Sequence, residues 1–212
     1  MLCGIFFAFP LIGTAHERTV LTHSFSLGAS APGPKLRLLI TDAATGEPIA
    51  ARVSIVVDGR DYTPDWVDEN GIRFTSLHIS KKQSFTAIYA RGVGPVEISL
   101  PPDADRVEVT AVRGFEYLPS TSASVVKERQ VDIALPMKRW LNLTEQGWIT
   151  VDEHLHYDRI DPTDDRRWLE MLAGDGLTAG HNLVLKGGAW SRASGPGSMP
   201  TALQVRQRMV SA

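Results

Sequence analysis

From residue 34 to 137, apolar and polar residues alternate along the chain with a period of two. Leu36, Leu38 and Ile40 alternate first, and the stretch from Asp42 through Gly46 to Pro48 supplies a turn. Val53, Ile55 and Val57 then lead to Asp58-Gly59, a pair that favours a two-residue hairpin. Further strands are predicted over 85–90, 96–100, 107–112 and 131–135. In the last two, Val107, Val109 and Ala111 oppose Arg106, Glu108 and Thr110, while Val131, Ile133 and Leu135 oppose Asp132 and Ala134. One apolar face per strand, repeated at short spacing and without a helical period, predicts a mainly β domain built as an antiparallel sandwich.

The pattern changes after residue 137. Trp148 to Val151 is an apolar run that predicts a buried strand, ending in the polar stretch Asp152-Glu153-His154-Leu155-His156. Asp161 can cap a helix, Pro162 suits its first position, and Asp164 and Asp165 favour the positive end of its dipole. Trp168, Leu169, Met171 and Leu172 form its apolar stripe, and Gly174 and Gly176 stop it. The mostly apolar run 177–185 reads as a second, buried strand. Strand, helix and strand over about forty residues make a βαβ unit, as at the start of an α/β barrel.

Candidate chemistry concentrates at the end of the first of these strands. Alternate residues of a strand point to one face, so Asp152, His154 and His156 share a side and Glu153 takes the other. Two imidazoles with a carboxylate beside them suit a divalent ion such as zinc or manganese, the carboxylate either binding it or orienting a histidine. Two histidines alternating on a half-exposed strand would give the same pattern. His181, inside the second strand, is either a further ligand or a buried structural histidine. Lys186 at that strand's end reads as a solvated lysine. In the β-rich part, Tyr62, Trp66, Phe74, Phe115 and Tyr117 form either core packing or a sugar-stacking platform.

Two resemblances accompany these patterns. Leu38-Leu39-Ile40-Thr41-Asp42, then Thr45-Gly46-Glu47-Pro48-Ile49-Ala50-Ala51-Arg52-Val53, and later Arg113-Gly114-Phe115-Glu116-Tyr117-Leu118-Pro119, resemble a carboxypeptidase-regulatory-like, transthyretin-type (Ig-like) sandwich. Members of that group often precede catalytic domains in secreted bacterial proteins. Trp140, Gly147-Trp148, Asp152-x-His154-x-His156, the Asp-rich helix start and Leu183-Val184-Leu185-Lys186-Gly187-Gly188 resemble the beginning of a PHP-superfamily hydrolase of the carbaryl-hydrolase-like branch. That resemblance implies a divalent metal held by His154 and His156, with Asp152 in support and further ligands from later strands. It implies hydrolysis of an amide, ester, carbamate or phosphoester in a small-molecule substrate. The amidohydrolase superfamily opens its barrel in a similar way.

Composition adds boundaries. A formal net charge of -2 provides no electrostatic attraction for nucleic acid or an anionic membrane. The apolar run 2–13, followed by Gly13-Thr14-Ala15, resembles a secretory signal cut after Ala15, although no Lys or Arg precedes it. It is too short to span a bilayer. Cys3, the single cysteine, lies within it, so a mature periplasmic or extracellular chain would have no disulfide. The expected organisation is a signal over 1–15, a linker over 16–33, the sandwich over 34–137, a metallohydrolase fragment over 138–188 and an irregular tail over 189–212. A complete barrel takes roughly 200–250 residues, far more than follow residue 138. The expectation is therefore a truncated or frameshifted hydrolase with an incomplete α/β barrel; the alternative is a non-catalytic secreted β-sandwich module. The sequence does not determine an oligomeric state.

Overall fold

The computed structural model describes residues 21–25, 33–78, 83–155, 162–182 and 209–211, the side chains of 21–25, 76–78, 83–84, 154, 162–164, 182 and 209–211 excepted. The described chain is mainly β, with several antiparallel sheets and one α-helix. No described helix is long and apolar enough to cross a membrane.

Among the described residues, ten strands precede residue 138: β1 (Leu21–Phe25), β2 (Lys35–Asp42), β3 (Ala50–Val57), β4 (Arg60–Tyr62), β5 (Gly71–His78), β6 (Gln83–Arg91), β7 (Val96–Ser99), β8 (Arg106–Val112), β9 (Ser120–Val125) and β10 (Gln130–Met137). The larger sheet runs β1-β5-β6-β3-β8-β9 with β4 paired to β3, and the smaller runs β10-β2-β7. Their apolar faces meet in one core. Leu36, Leu38 and Ile40 of β2, Val96 and Ile98 of β7, and Val131, Ile133, Leu135 and Met137 of β10 pack with Val53, Ile55, Val107 and Val109 from the larger sheet. The alternation in the sequence is the alternation of burial, since inward residues of β2, β8 and β10 are buried and their neighbours are not. Asp58 and Gly59 both take positive φ, 50° and 77°, and join β3 to β4 with Val57 opposite Arg60. That is the two-residue hairpin this pair predicts.

Three features differ from the expectation. β10 runs parallel to β2, Gln130 opposite Lys35 through Met137 opposite Asp42, so the smaller sheet is not purely antiparallel. Within the expected linker, Leu21–Phe25 forms β1 against β5, Leu21 opposite His78. The aromatic residues divide rather than gather: Phe74 and Tyr117 are buried, Phe115 is 78% exposed, and Lys35 Nζ lies 4.1 Å from the centroid of the Trp66 ring.

After residue 138 come β11 (Val151–Leu155), α1 (Pro162–Gly174), β12 (Ala179–Asn182) and β13 (Met209–Ser211) in a third sheet of order β11-β12-β13. β11 and β12 are parallel, so the strand–helix–strand reading holds at this level. β13, from the tail expected to be irregular, pairs antiparallel with β12. The helix lies between two sheets. Trp168 and Met171 pack on Ile72, Phe74, Ala87 and Tyr89, which form the outer face of the larger sheet. Leu172 instead reaches toward Gly180 of β12.

Candidate functional site

Thr150 fixes the start of the β11–β12 pair. Its Oγ1 donates to the Gly176 carbonyl (2.8 Å) and accepts from the Thr178 N–H (3.1 Å). Its carbonyl accepts from the Thr178 and Ala179 N–H groups. α1 ends in a Schellman arrangement: the Leu177 N–H reaches the Leu172 carbonyl, the Gly176 N–H reaches that of Ala173, and Gly176 takes φ 72°. Gly176 therefore stops the helix as expected. Gly174, the last residue of α1, has a second use as well, because a Cβ there would stand 2.6 Å from Cδ1 of Tyr89. Its hydrogen lets the helix approach the larger sheet.

The strand leading to the candidate metal residues is shorter and more open than expected. Trp148 and Ile149 lie outside β11 and are 66% and 60% exposed, and Val151 is 37% exposed. The expectation of a buried strand over 148–151 is corrected. β11 is an edge strand of a three-stranded sheet, and α1 covers that sheet on one side, so no described layer lies over these residues.

Asp152 lies level with Gly180 in the parallel register, and a Cβ on Gly180 would point at Leu172 of α1 and at Leu155. Register therefore puts Asp152 on the α1-facing side and His181, the next residue along β12 and opposite Met209 of β13, on the other. Between Asp152 and Leu155, β11 takes three steps while β12 takes two from Gly180 to Asn182. This irregularity interrupts the strict alternation from which Asp152 and His154 were assigned one face. The backbone of His154 is in β11; its side chain, and all of His156 and Lys186, lie outside the described residues. Among the described residues, no three His, Cys, Asp or Glu side chains come together as a metal group.

Two polar clusters not anticipated from sequence tie the region after residue 138 to the β-rich part. In the first, the Tyr117 hydroxyl donates to Asp42 Oδ2 at 2.7 Å, and the Ala44 and Thr45 N–H groups donate to Asp42 Oδ1. The Tyr117 hydroxyl and these amides hold the buried Asp42 carboxyl below the usual range. Arg139 donates to Glu116 Oε2 at 2.7 Å, and Glu116 Oε1 accepts from the Leu143 N–H. Burial would raise the Glu116 carboxyl, yet these partners hold it low.

The second cluster surrounds the C-terminal turn of α1. Tyr89 donates to Asp175 Oδ2 at 3.0 Å, Arg52 lies 3.6 Å from Asp175 Oδ1, and Arg91 pairs with Glu170. Arg113 Nη1 donates to the carbonyls of Ala50 and Ala173. Burial pushes both the Asp175 carboxyl and the Tyr89 hydroxyl upward. The sequence held one signal for this contact. β6 carries apolar residues on both faces, Ala87 and Tyr89 on one and Ile88 and Ala90 on the other, and a strand buried on two sides needs a second layer. No family model, no curated protein and no solved structure matches the chain.

Proposed function

We propose that this chain is the N-terminal part of an exported metal-dependent hydrolase. In this reading a carboxypeptidase-regulatory-like sandwich precedes β11–α1–β12, and these elements open an α/β catalytic domain. The observation that supports it is the parallel β11–β12 pair joined by α1, with His154 on its first strand and His156 just beyond. Functional residues of open and closed α/β folds gather at such strand ends. The substrate class is an amide, ester, carbamate or phosphoester, and the compartment is the periplasm or the exterior.

The described residues do not by themselves fit a complete metal site. Asp152 and His181 fall on opposite faces of the third sheet by register, which leaves His154 and His156 as the pair to test. No catalytic step is therefore assigned, and the expected activity of the chain is metal binding without efficient turnover. The test is metal content and affinity of the purified chain beside a His154→Ala/His156→Ala variant. Stoichiometric zinc or manganese in the parent, lost in the variant, is the expected result. Absence of specific metal from the parent overturns the reading.

A second reading, a non-catalytic β-rich interaction module, is favoured by one observation. The apolar stripe of α1 is divided between β12 and the outer face of the larger sheet, so the helix serves as a layer of the β-rich body.

A further inference from the structure

The outer face of the larger sheet offers α1 an apolar floor and a charged rim. The floor is Ile72, Phe74, Ala87 and Tyr89, with the Trp168 ring edge-on to Phe74 at 5.1 Å between centroids and Met171 beside it. The rim has three arginines from separate parts of the chain. Arg52 in β3 faces Asp175, Arg91 at the end of β6 pairs with Glu170, and Arg113 after β8 donates to the Ala173 carbonyl. Their positive charge meets the last turn of the helix, where the negative end of the helix dipole lies.

The apolar part of this contact is distinct from the main core. Its buried residues share no member with the cluster between the larger and smaller sheets. Removing α1 would uncover one face of β3, β5 and β6 and take the Ala173 carbonyl from Arg113, while the side chains of the two-sheet core keep their packing on one another. By contrast, β11 and β12 share their packing with the helix through Leu155, Gly180 and Leu172. The rim pairs also retain water access, with side-chain exposures of 47% and 33% for Arg52 and Asp175 and 28% and 22% for Arg91 and Glu170, so salt weakens them.

We infer that the contact is a reversible clamp: α1, with β11 and β12, detaches from the larger sheet as a unit while the two-sheet body stays folded, and the arginine rim holds it closed. Opening releases the strand that carries Asp152 and His154 from its rigid support. That consequence for a metal site rests on the hydrolase reading; the clamp itself does not.

Native-state hydrogen exchange of the full chain, in metal-free buffer, tests it. In Arg91→Glu, amides of α1 and of residues 176–180 exchange faster by roughly tenfold or more, whereas amides of β2, β8 and β10 keep their rates. Adding Glu170→Arg to that variant restores the α1 rates, which a general loss of stability would not allow. Raising the salt concentration accelerates the same α1 amides in the parent. The clamp is overturned if α1 and core amides accelerate together, if α1 ignores Arg91→Glu, or if the second substitution gives no recovery. The readout is independent of metal, so a negative metal result leaves the clamp to stand or fall separately.

Discussion

Leu38 in β2 and Val151 in β11 are both apolar residues of β-strands, yet Leu38 is fully buried and Val151 is 37% exposed. The difference lies in what surrounds each strand. β2 sits between β10 and β7 in one sheet and faces a second sheet, whereas β11 is an edge strand with α1 on one side. Two regions with similar local sequence character thus reach burial by different routes. The two-sheet body completes its core from its own strands, and the strand–helix–strand unit draws part of its burial from the body beside it. Local pattern identifies a strand in either case, but burial depends on the layers that long-range packing supplies.

The contrast can be broken most strongly at the core. Leu38→Ala removes buried methyl groups where no solvent can enter, and it should cost about 2–5 kcal/mol in chemical denaturation. Val151→Ala should stay within about 0.5 kcal/mol. Equal losses at the two sites would remove the distinction between the regions. The next effect is at the contact itself. Gly174→Val places a branched side chain against Tyr89 and should cost about 1–3 kcal/mol. The faster exchange should be confined to α1, β11 and β12.

A smaller change sharpens the comparison from the acid side. Tyr117→Phe removes the hydroxyl donated to Asp42 and should cost about 1.5 kcal/mol near neutral pH. Because the fold holds the Asp42 carboxyl below its unfolded value of 3.8, the folded state binds that proton more weakly than the unfolded chain. The stabilisation is present above the unfolded value and is lost as pH falls through it toward the folded one. The gap between parent and variant should therefore narrow on acidification, and thermal melts across that range measure it. An unchanged gap at all pH values would show that Asp42 ionisation does not depend on Tyr117.

How much of this was legible follows from the range of each interaction. β2, β3, β8 and β10 each bury one face, so alternate residues announced them, and Asp58-Gly59 carried its own turn signal. Pro162 marked the start of α1 and Gly176 its end. β1 and β13 were not legible, because short strands without a clear apolar face are defined by partners far away in sequence. The parallel pairing of β10 with β2 joins residues about a hundred positions apart and leaves no local mark. At the candidate site, the His-x-His spacing was plain to read. The irregularity in β11 and the opposite faces of Asp152 and His181 depend on register with β12, which sequence alternation does not contain. Gly174 does close α1, but its second use, admitting the Tyr89 ring, depends on a contact that the sequence does not mark.

The parallel pairing of β10 with β2 has a mechanical consequence. Lys35 opens β2 beside Gln130, and Met137 closes β10 beside Asp42, so the chain enters β2 at one end of this pair and leaves β10 at the other. The seven steps between the first and last of the eight paired residues separate those points by roughly 23 Å. Tension applied between Lys35 and Met137 would slide the two strands past each other. Such loading stretches the evenly spaced hydrogen bonds of the ladder together instead of opening them one at a time. The β2–β10 pair is thereby arranged to resist a load applied between residues 35 and 137.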